Sequence, residues 1–228
     1  MQLSHAPSSM SAAFDEPNLV VSAGLVPALA LAESVGIGEL ARERMTVPGS
    51  AGANAGAKVM SLVAGMAAGA DSIDDMALLR HGGMGRVFAR LYAPSTLGSF
   101  LRAFTFGHIR QLDAIASRFL IAVAGLTDLL GARTGPGAVT TDQAGYALVD
   151  VDDTIIEVHG HAKQGAGFGY SGVRGLNALL ATLVTATSAP VIVAQRLRKG
   201  SDGSPRGAKR LVGDAVKTTR RLLGASKL

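Results

Sequence analysis

The chain has 228 residues, a net charge of +5, 48% apolar residues, 4% aromatic residues and neither Cys nor Trp. That length leaves room for one large or two modest domains, and the apolar content, much of it Ala and Gly, points to closely packed, helix-rich cores. Disulfides and thiolate metal sites are excluded, and the absence of thiols fits a cytoplasmic setting. No basic region precedes an apolar stretch at the N-terminus as in a secretory signal. The longest uncharged apolar region, 176–194, is studded with Ser and Thr and contains Pro190, so it reads as two strands and not as a membrane-spanning helix.

In chain order, residues 1–13 are small and polar and are expected to be disordered. Phe14 to Asn18 ends in a Pro-Asn turn signal. A helix is predicted over 23–35, with Leu25, Leu29 and Ala32 on one stripe and Gly36 as its stop. A short helix follows over 39–44. Pro48 to Lys58 has the glycine content of a phosphate loop but lacks its Gly-Lys-Ser/Thr ending, so it reads as a linker. Asn54 is placed to cap a buried helix running to Gly69. Further helices are predicted over 70–80, with Asp71 at the N-terminus, over 86–91, and over 93–104 with Leu97, Leu101 and Phe104 inward. Short helix, turn, short helix is the outline of a helix-turn-helix, in which Ser95, Thr96, Ser99 and Arg102 would meet DNA; an ordinary helical hairpin gives the same pattern. The longest helix is predicted over 107–130, with His108 at its start in a capping or surface role. A glycine-rich linker, 131–145, then divides an N-terminal helical region, 14–130, from a C-terminal region, 146–228.

The C-terminal region opens on Ala147-Leu-Val-Asp-Val-Asp-Asp-Thr-Ile-Ile-Glu-Val158, whose β-branched residues mark a strand. Alternation puts Asp150 and Asp152 on one face and Asp153 on the other. Carboxylates are costly in a strand core unless they are paired or bind metal, and strand-mounted aspartates that hold Mg²⁺ are one solution. A solvated strand end is the plainer one. Glu157, His159 and His161 would share a face for Zn²⁺ if the strand persisted, but Gly160 argues for a turn. The reversal that follows lacks the spacing of a dinucleotide loop, because Tyr170 stands where its last glycine should be. Phe168 and Tyr170 are candidates for base stacking or for core packing. Apolar runs over 176–187 and 189–197 read as two more strands, and 208–223 as an amphipathic helix with Ala208, Leu211, Val212, Ala215, Val216, Leu222 and Leu223 on one face. From Asp150 onward there are 12 Lys/Arg against 6 Asp/Glu, while residues 1–149 carry 10 against 11. The basic excess beside the carboxylate strand points to a polyanionic partner. Lys209, Arg210, Lys217, Arg220 and Arg221 lie off the apolar face of the 208–223 helix, as a solvated basic face or as phosphate contacts, and Arg196, Arg198, Lys199 and Arg206 are placed for phosphate contacts likewise.

Asp150-Val-Asp-Asp-Thr154, Gly160, Lys163-Gln-Gly165, Gly169-Tyr170 and Gly175-Leu-Asn-Ala-Leu-Leu180 resemble the insertion-sequence DDE transposases, specifically the group with an Asp-x-Asp-x-Thr strand. Phe14 to Asn18, Leu79 to Gly83, Ala93 to Gly98 and Arg196 to Gly200 extend the resemblance over most of the chain. It implies an α+β protein: an all-helical region binding double-stranded DNA at terminal inverted repeats, then the opening strands and one helix of an RNase H-like domain. It also implies Mg²⁺-dependent strand cleavage and joining, a homo-oligomer on DNA, no membrane partner and a cytoplasmic, nucleoid-associated location. The register of Thr154 makes Asp152 the first catalytic aspartate and metal ligand, with Asp150 and Asp153 as weaker metal candidates. The family places a second aspartate and a third acidic residue further downstream, and this sequence ends at Leu228 before either. The expectation is therefore a C-terminally truncated enzyme, or a DNA-binding remnant that occupies terminal repeats or inhibits the intact enzyme.

Overall fold

The structure is a computed structural model that describes residues 16–88, 90–130, 148–185 and 188–224. The predicted disordered tail and the 131–145 linker lie outside these residues. The fold is α+β, helices first and an antiparallel sheet after them. The chain forms two compact units, Met1–His108 and Ile109–Leu228.

In the first unit, α1 (Leu25–Ser34) buries Leu25, Leu29 and Ala32. It stops at Gly36, whose φ of +75° suits a residue without a Cβ. α2 (Ile37–Arg44) and α4 (Ala55–Ala67) meet backbone to backbone, since a Cβ on Gly56 would lie 2.3 Å from the Gly38 carbonyl oxygen. The predicted linker between them contains one helical turn, α3 (Gly49–Gly52). Asn54 precedes α4 in the left-handed region and makes no side-chain cap hydrogen bond. Its role there is conformational, because Asn tolerates that region.

The predicted helix over 70–80 is a 3-10 helix, Asp74–Arg80. Ser72 and Asp75 cap it reciprocally: the Asp75 N–H donates to Ser72 Oγ (3.3 Å) and the Ser72 N–H to Asp75 Oδ2 (2.9 Å). Three residues per turn stack Met76 over Leu79, both 2% exposed, a pairing the wider α-helix would rotate apart. The predicted helix over 86–91 is absent. A 3-10 helix, Gly82–Arg86, ends there, and residues 90–93 lead into Pro94 without helix. Proline disfavours the helical region in the residue before it, and Ala93 is extended. α5 (Pro94–Arg102) buries Leu97, Gly98 and Phe100, while Leu101 and Phe104 are half-buried. One core cluster joins Leu25, Leu29, Ala64, Met76, Leu79, Met84 and Leu97.

α6 (Phe106–Leu126) begins with a cap: the Thr105 N–H donates to His108 Nδ1 at 2.9 Å, and His108 is buried. The division between the units falls at its first turn. In the second unit, β3 (Arg174–Val184) is the central strand. β1 (Leu148–Glu157) pairs antiparallel along one side of it, and β4 (Val191–Lys199) and the two-residue β2 (Gly167–Phe168) along the other. α7 (Ala208–Leu222) lies across one face of the sheet and buries Leu211 and Ala215 against Leu179, Ala181, Leu183 and Val193. Thr218 and Thr219 are also buried on α7, whereas Val212 and Val216, read as inward, are exposed.

Candidate functional site

The register sets Asp150 opposite Thr182, Asp152 opposite Leu180 and Asp153 opposite Leu179. Residues directly opposed across an antiparallel pair share a face. Asp153 therefore lies on the face covered by α7, and Asp150, Asp152, Thr154 and Ile156 lie on the other, all exposed. Residues two apart on a strand are roughly 7 Å apart along it. The Asp153 N–H donates to Asp152 Oδ1 at 2.8 Å. Among the described residues, no group of three His, Cys, Asp or Glu side chains converges as a metal site. Mg²⁺ commonly takes only one or two carboxylates and completes its shell with water and substrate phosphate. Asp150 and Asp152 fit that donor set and would hold such an ion; Asp153, on the opposite face, is not placed to join them.

Asp153 has a different job. Its Oδ2 accepts from Asn177 Nδ2 (2.9 Å), an Arg198 guanidinium nitrogen (3.0 Å) and Ser204 Oγ (3.1 Å). The Asn177 hydrogen bond foremost, then Ser204 and the Arg198 charge, hold its carboxyl below the ordinary carboxylate range. The Arg198 side chain is 6% exposed. It also donates to the Gly203, Ser204 and Arg206 carbonyls at 3.1, 3.1 and 2.7 Å, which ties the loop before α7 to the sheet. Arg198, read as a phosphate contact, is thus turned inward and consumed by the fold.

Arg196 also points to the covered side, 3.3 Å from Asp214, with its side chain 14% exposed. Lys199 and Arg206 are exposed, and Arg206 pairs with Asp202 at 3.1 Å. On α5, Ser95, Ser99 and Arg102 share an exposed face and Thr96 is half-buried. Ser99 Oγ donates to the Ser95 carbonyl (2.9 Å) and Arg102 to Ser99 Oγ (3.2 Å). The element before α5 is the five-residue 3-10 helix, so the first α-helix of a helix-turn-helix is not formed at that place. Glu157 and His159 are 3.9 Å apart, but the strand ends at Glu157, so His159 and His161 do not continue its face.

A second basic site was legible only on its α7 side. A cleft of about 460 Å³ in the second unit is lined by Arg110, Arg118, Lys217 and Arg221, with Asp113 and Asp214 among them. Arg110 bridges Asp113 (2.8 Å) and Asp214 (3.0 Å). Burial raises the Asp113 pKa above the ordinary carboxylate value, although Arg110 and Arg196 pull it down. The sequence signal was the four-residue spacing of Lys217 and Arg221, which puts both on one side of α7. Arg110 and Arg118 were hidden in a helix read only for its apolar stripe. Among the described residues, no helix is long and apolar enough to cross a membrane. Comparison with protein-family models, curated proteins and solved structures returns no match to this chain.

Proposed function

We propose that this chain is part of a DNA transposase of the DDE type, with a helical DNA-binding region followed by the opening of an RNase H-like catalytic domain. The observation that carries the reading is the pair Asp150 and Asp152, displayed with Thr154 on the exposed face of an antiparallel sheet whose other face is closed by α7. A rigid strand fixes the two carboxylates where a polyanionic substrate can reach them. Bound Mg²⁺ would supply an activated water or 3′-hydroxyl and stabilise the leaving oxygen. Asp152 and Asp150 would hold the ion, and Lys199 on the same face would draw the DNA toward it, while the basic cleft offers the duplex a second contact on the covered side. Double-stranded DNA ending in inverted repeats is the substrate, an oligomer of the chain is the working unit, and the nucleoid is the place.

The test has two arms. Duplex binding by this chain should weaken steeply with salt, as expected where lysines and arginines displace counterions. Mg²⁺-dependent nicking of end-bearing DNA, assayed in an enzyme that also carries the two downstream acidic residues, should be abolished by Asp152→Asn with duplex affinity unchanged. Full nicking by Asp152→Asn would remove the assignment of that residue, and absence of duplex binding at low salt would remove the transposase reading. A second reading, a DNA-binding protein that does not cut but occupies terminal repeats or inhibits an intact enzyme, is favoured by the cleft of Arg110, Arg118, Lys217 and Arg221, which needs no metal.

A further inference from the structure

Gly167-Phe168-Gly169-Tyr170 alternates glycine with aromatic residues, and the structure gives the alternation a purpose. Gly167 opposes Gly175, and Phe168 opposes Arg174. A Cβ on Gly169 would lie 2.3 Å from the Gly200 carbonyl oxygen, and one on Gly200 would lie 2.1 Å from that of Gly175 and 2.4 Å from that of Gly167. The glycines thus close backbone on backbone, which no other residue allows. Alternation on β2 then sends the Phe168 ring the other way, and Tyr170 follows in the turn just after the strand. Phe168 is 66% exposed and Tyr170 is fully exposed at 110%, so core packing is not their role.

The turn beside the rings is braced from the same row. Arg174 donates to the carbonyls of Val158 (3.0 Å), Gly160 (2.9 Å) and His161 (3.1 Å), pinning the neighbouring turn to β3. Residues 158–175 contain no Asp or Glu, but they contain Lys163, Arg174, His159 and His161. Lys199 is exposed and opposes Leu176, one row along from Phe168 on the same face.

We propose that Phe168 and Tyr170 form a stacking platform for the unpaired bases of single-stranded DNA, with Lys163 and Lys199 taking its phosphates. Exposed flat rings beside positive charge match a ligand that has flat π-faces on an anionic backbone. A duplex hides its base faces, so the platform selects the unpaired strand. A second copy of the chain would bring the same positive excess against this patch. Phe168 shares a face with Asp150 and Asp152, and six residues along β3, roughly 20 Å, separate its row from that of Asp152. A strand held on the rings can therefore run toward the carboxylates. The proposal rests on the nucleic-acid reading above and adds the strandedness and the residues.

Fluorescence anisotropy with a labelled oligothymidylate and with a duplex of equal length tests it on the full chain. Phe168→Ala/Tyr170→Ala should lose about tenfold or more in affinity for the single strand and less than about twofold for the duplex, whose contacts are to phosphate. Phe168→Tyr/Tyr170→Phe, which keeps both rings, should bind like the original. Thermal melting of both variants should be unchanged, since neither side chain is buried. Equal single-strand binding by the double alanine variant overturns the proposal, and so does an equal loss on both forms of DNA. A shift from dimer to monomer in light scattering, with single-strand affinity intact, would assign the rings to a copy-to-copy contact and overturn it too. If the original chain binds duplex but not the single strand, this proposal falls and the transposase reading stands; if it binds neither, both fall.

Discussion

The two faces of the sheet are made by the same strands and are used in opposite ways. On the covered face, Leu179, Ala181 and Leu183 are at most 2% exposed beneath Leu211 and Ala215. Charge there is partnered, as Asp153 with Arg198 and Asn177 and as Arg196 with Asp214. On the open face, Leu148, Ile156 and Leu197 are 65%, 50% and 59% exposed, and Asp150 and Asp152 stand beside them. Three aspartates within four positions of one strand thus divide by parity. A half-buried carboxylate gains from compensation, and its hydrogen bonds supply it. Two like charges side by side on an exposed strand are solvated and gain nothing for the fold.

The largest effect that should separate the faces is a cavity. Leu183→Ala, at a position with no exposure, should cost about 2–5 kcal/mol in urea denaturation. Leu197→Ala, 59% exposed on the open face, should stay within about 0.5 kcal/mol of the parent. Equal losses would mean that the open face is packed in solution and that the distinction drawn between the faces is mistaken.

Next in size is the loop that Arg198 ties down. Arg198→Met removes the donor shared by Asp153, Asn177 and three carbonyls, and should cost about 2–4 kcal/mol. Arg206→Met removes a pair whose arginine is 70% exposed and should cost less than about 1 kcal/mol. The pH dependence has a definite sign. Asp153 has a folded pKa below its ordinary value, so its contribution is complete above the ordinary carboxylate range and is lost as pH falls through the folded value. The gap between parent and Arg198→Met should therefore be widest at neutral pH and shrink in acid. A gap independent of pH would show that Asp153 takes no part.

Where one residue type settles the local geometry, the sequence was enough. Leu25, Leu29 and Ala32 marked the buried stripe of α1 and Gly36 its end, and β-branched residues marked β1 and the parity of its aspartates. Where the outcome depends on what packs from elsewhere in the chain, it was not. Nothing local distinguishes an α-helix from a 3-10 helix at Asp74–Arg80; the seating of Met76 and Leu79 in the core does. Thr218 and Thr219 displaced Val212 and Val216 from the buried face of α7 because orientation follows the whole interface and not single hydrophobicities. Arg198 looked like its neighbour Lys199, yet strand parity turns one inward to Asp153 and leaves the other on the open face with Asp150 and Asp152. The pairing register, which decides that, is a property of three strands together.

The smallest expected effect concerns a covered-side charge whose compensation is incomplete. Asp113 lies 2.8 Å from Arg110, yet burial keeps its pKa above the ordinary value, with Asp214 adding repulsion. The folded state therefore holds the Asp113 proton more tightly than the unfolded chain does, and ionisation at neutral pH works against the fold. Asp113→Asn, which mimics the protonated group, should raise the melting temperature slightly at neutral pH, and the gain should vanish in acid where the parent is itself protonated. The same change removes a negative charge from the cleft of Arg110, Arg118, Lys217 and Arg221, so duplex affinity at low salt should rise a few-fold and the rise should fade as salt screens it. Greater stability without tighter DNA binding would place the duplex elsewhere, on the face that carries Lys199. Lower stability at neutral pH would show that the attraction of Arg110 outweighs burial, and that the covered side is as fully compensated at Asp113 as it is at Asp153.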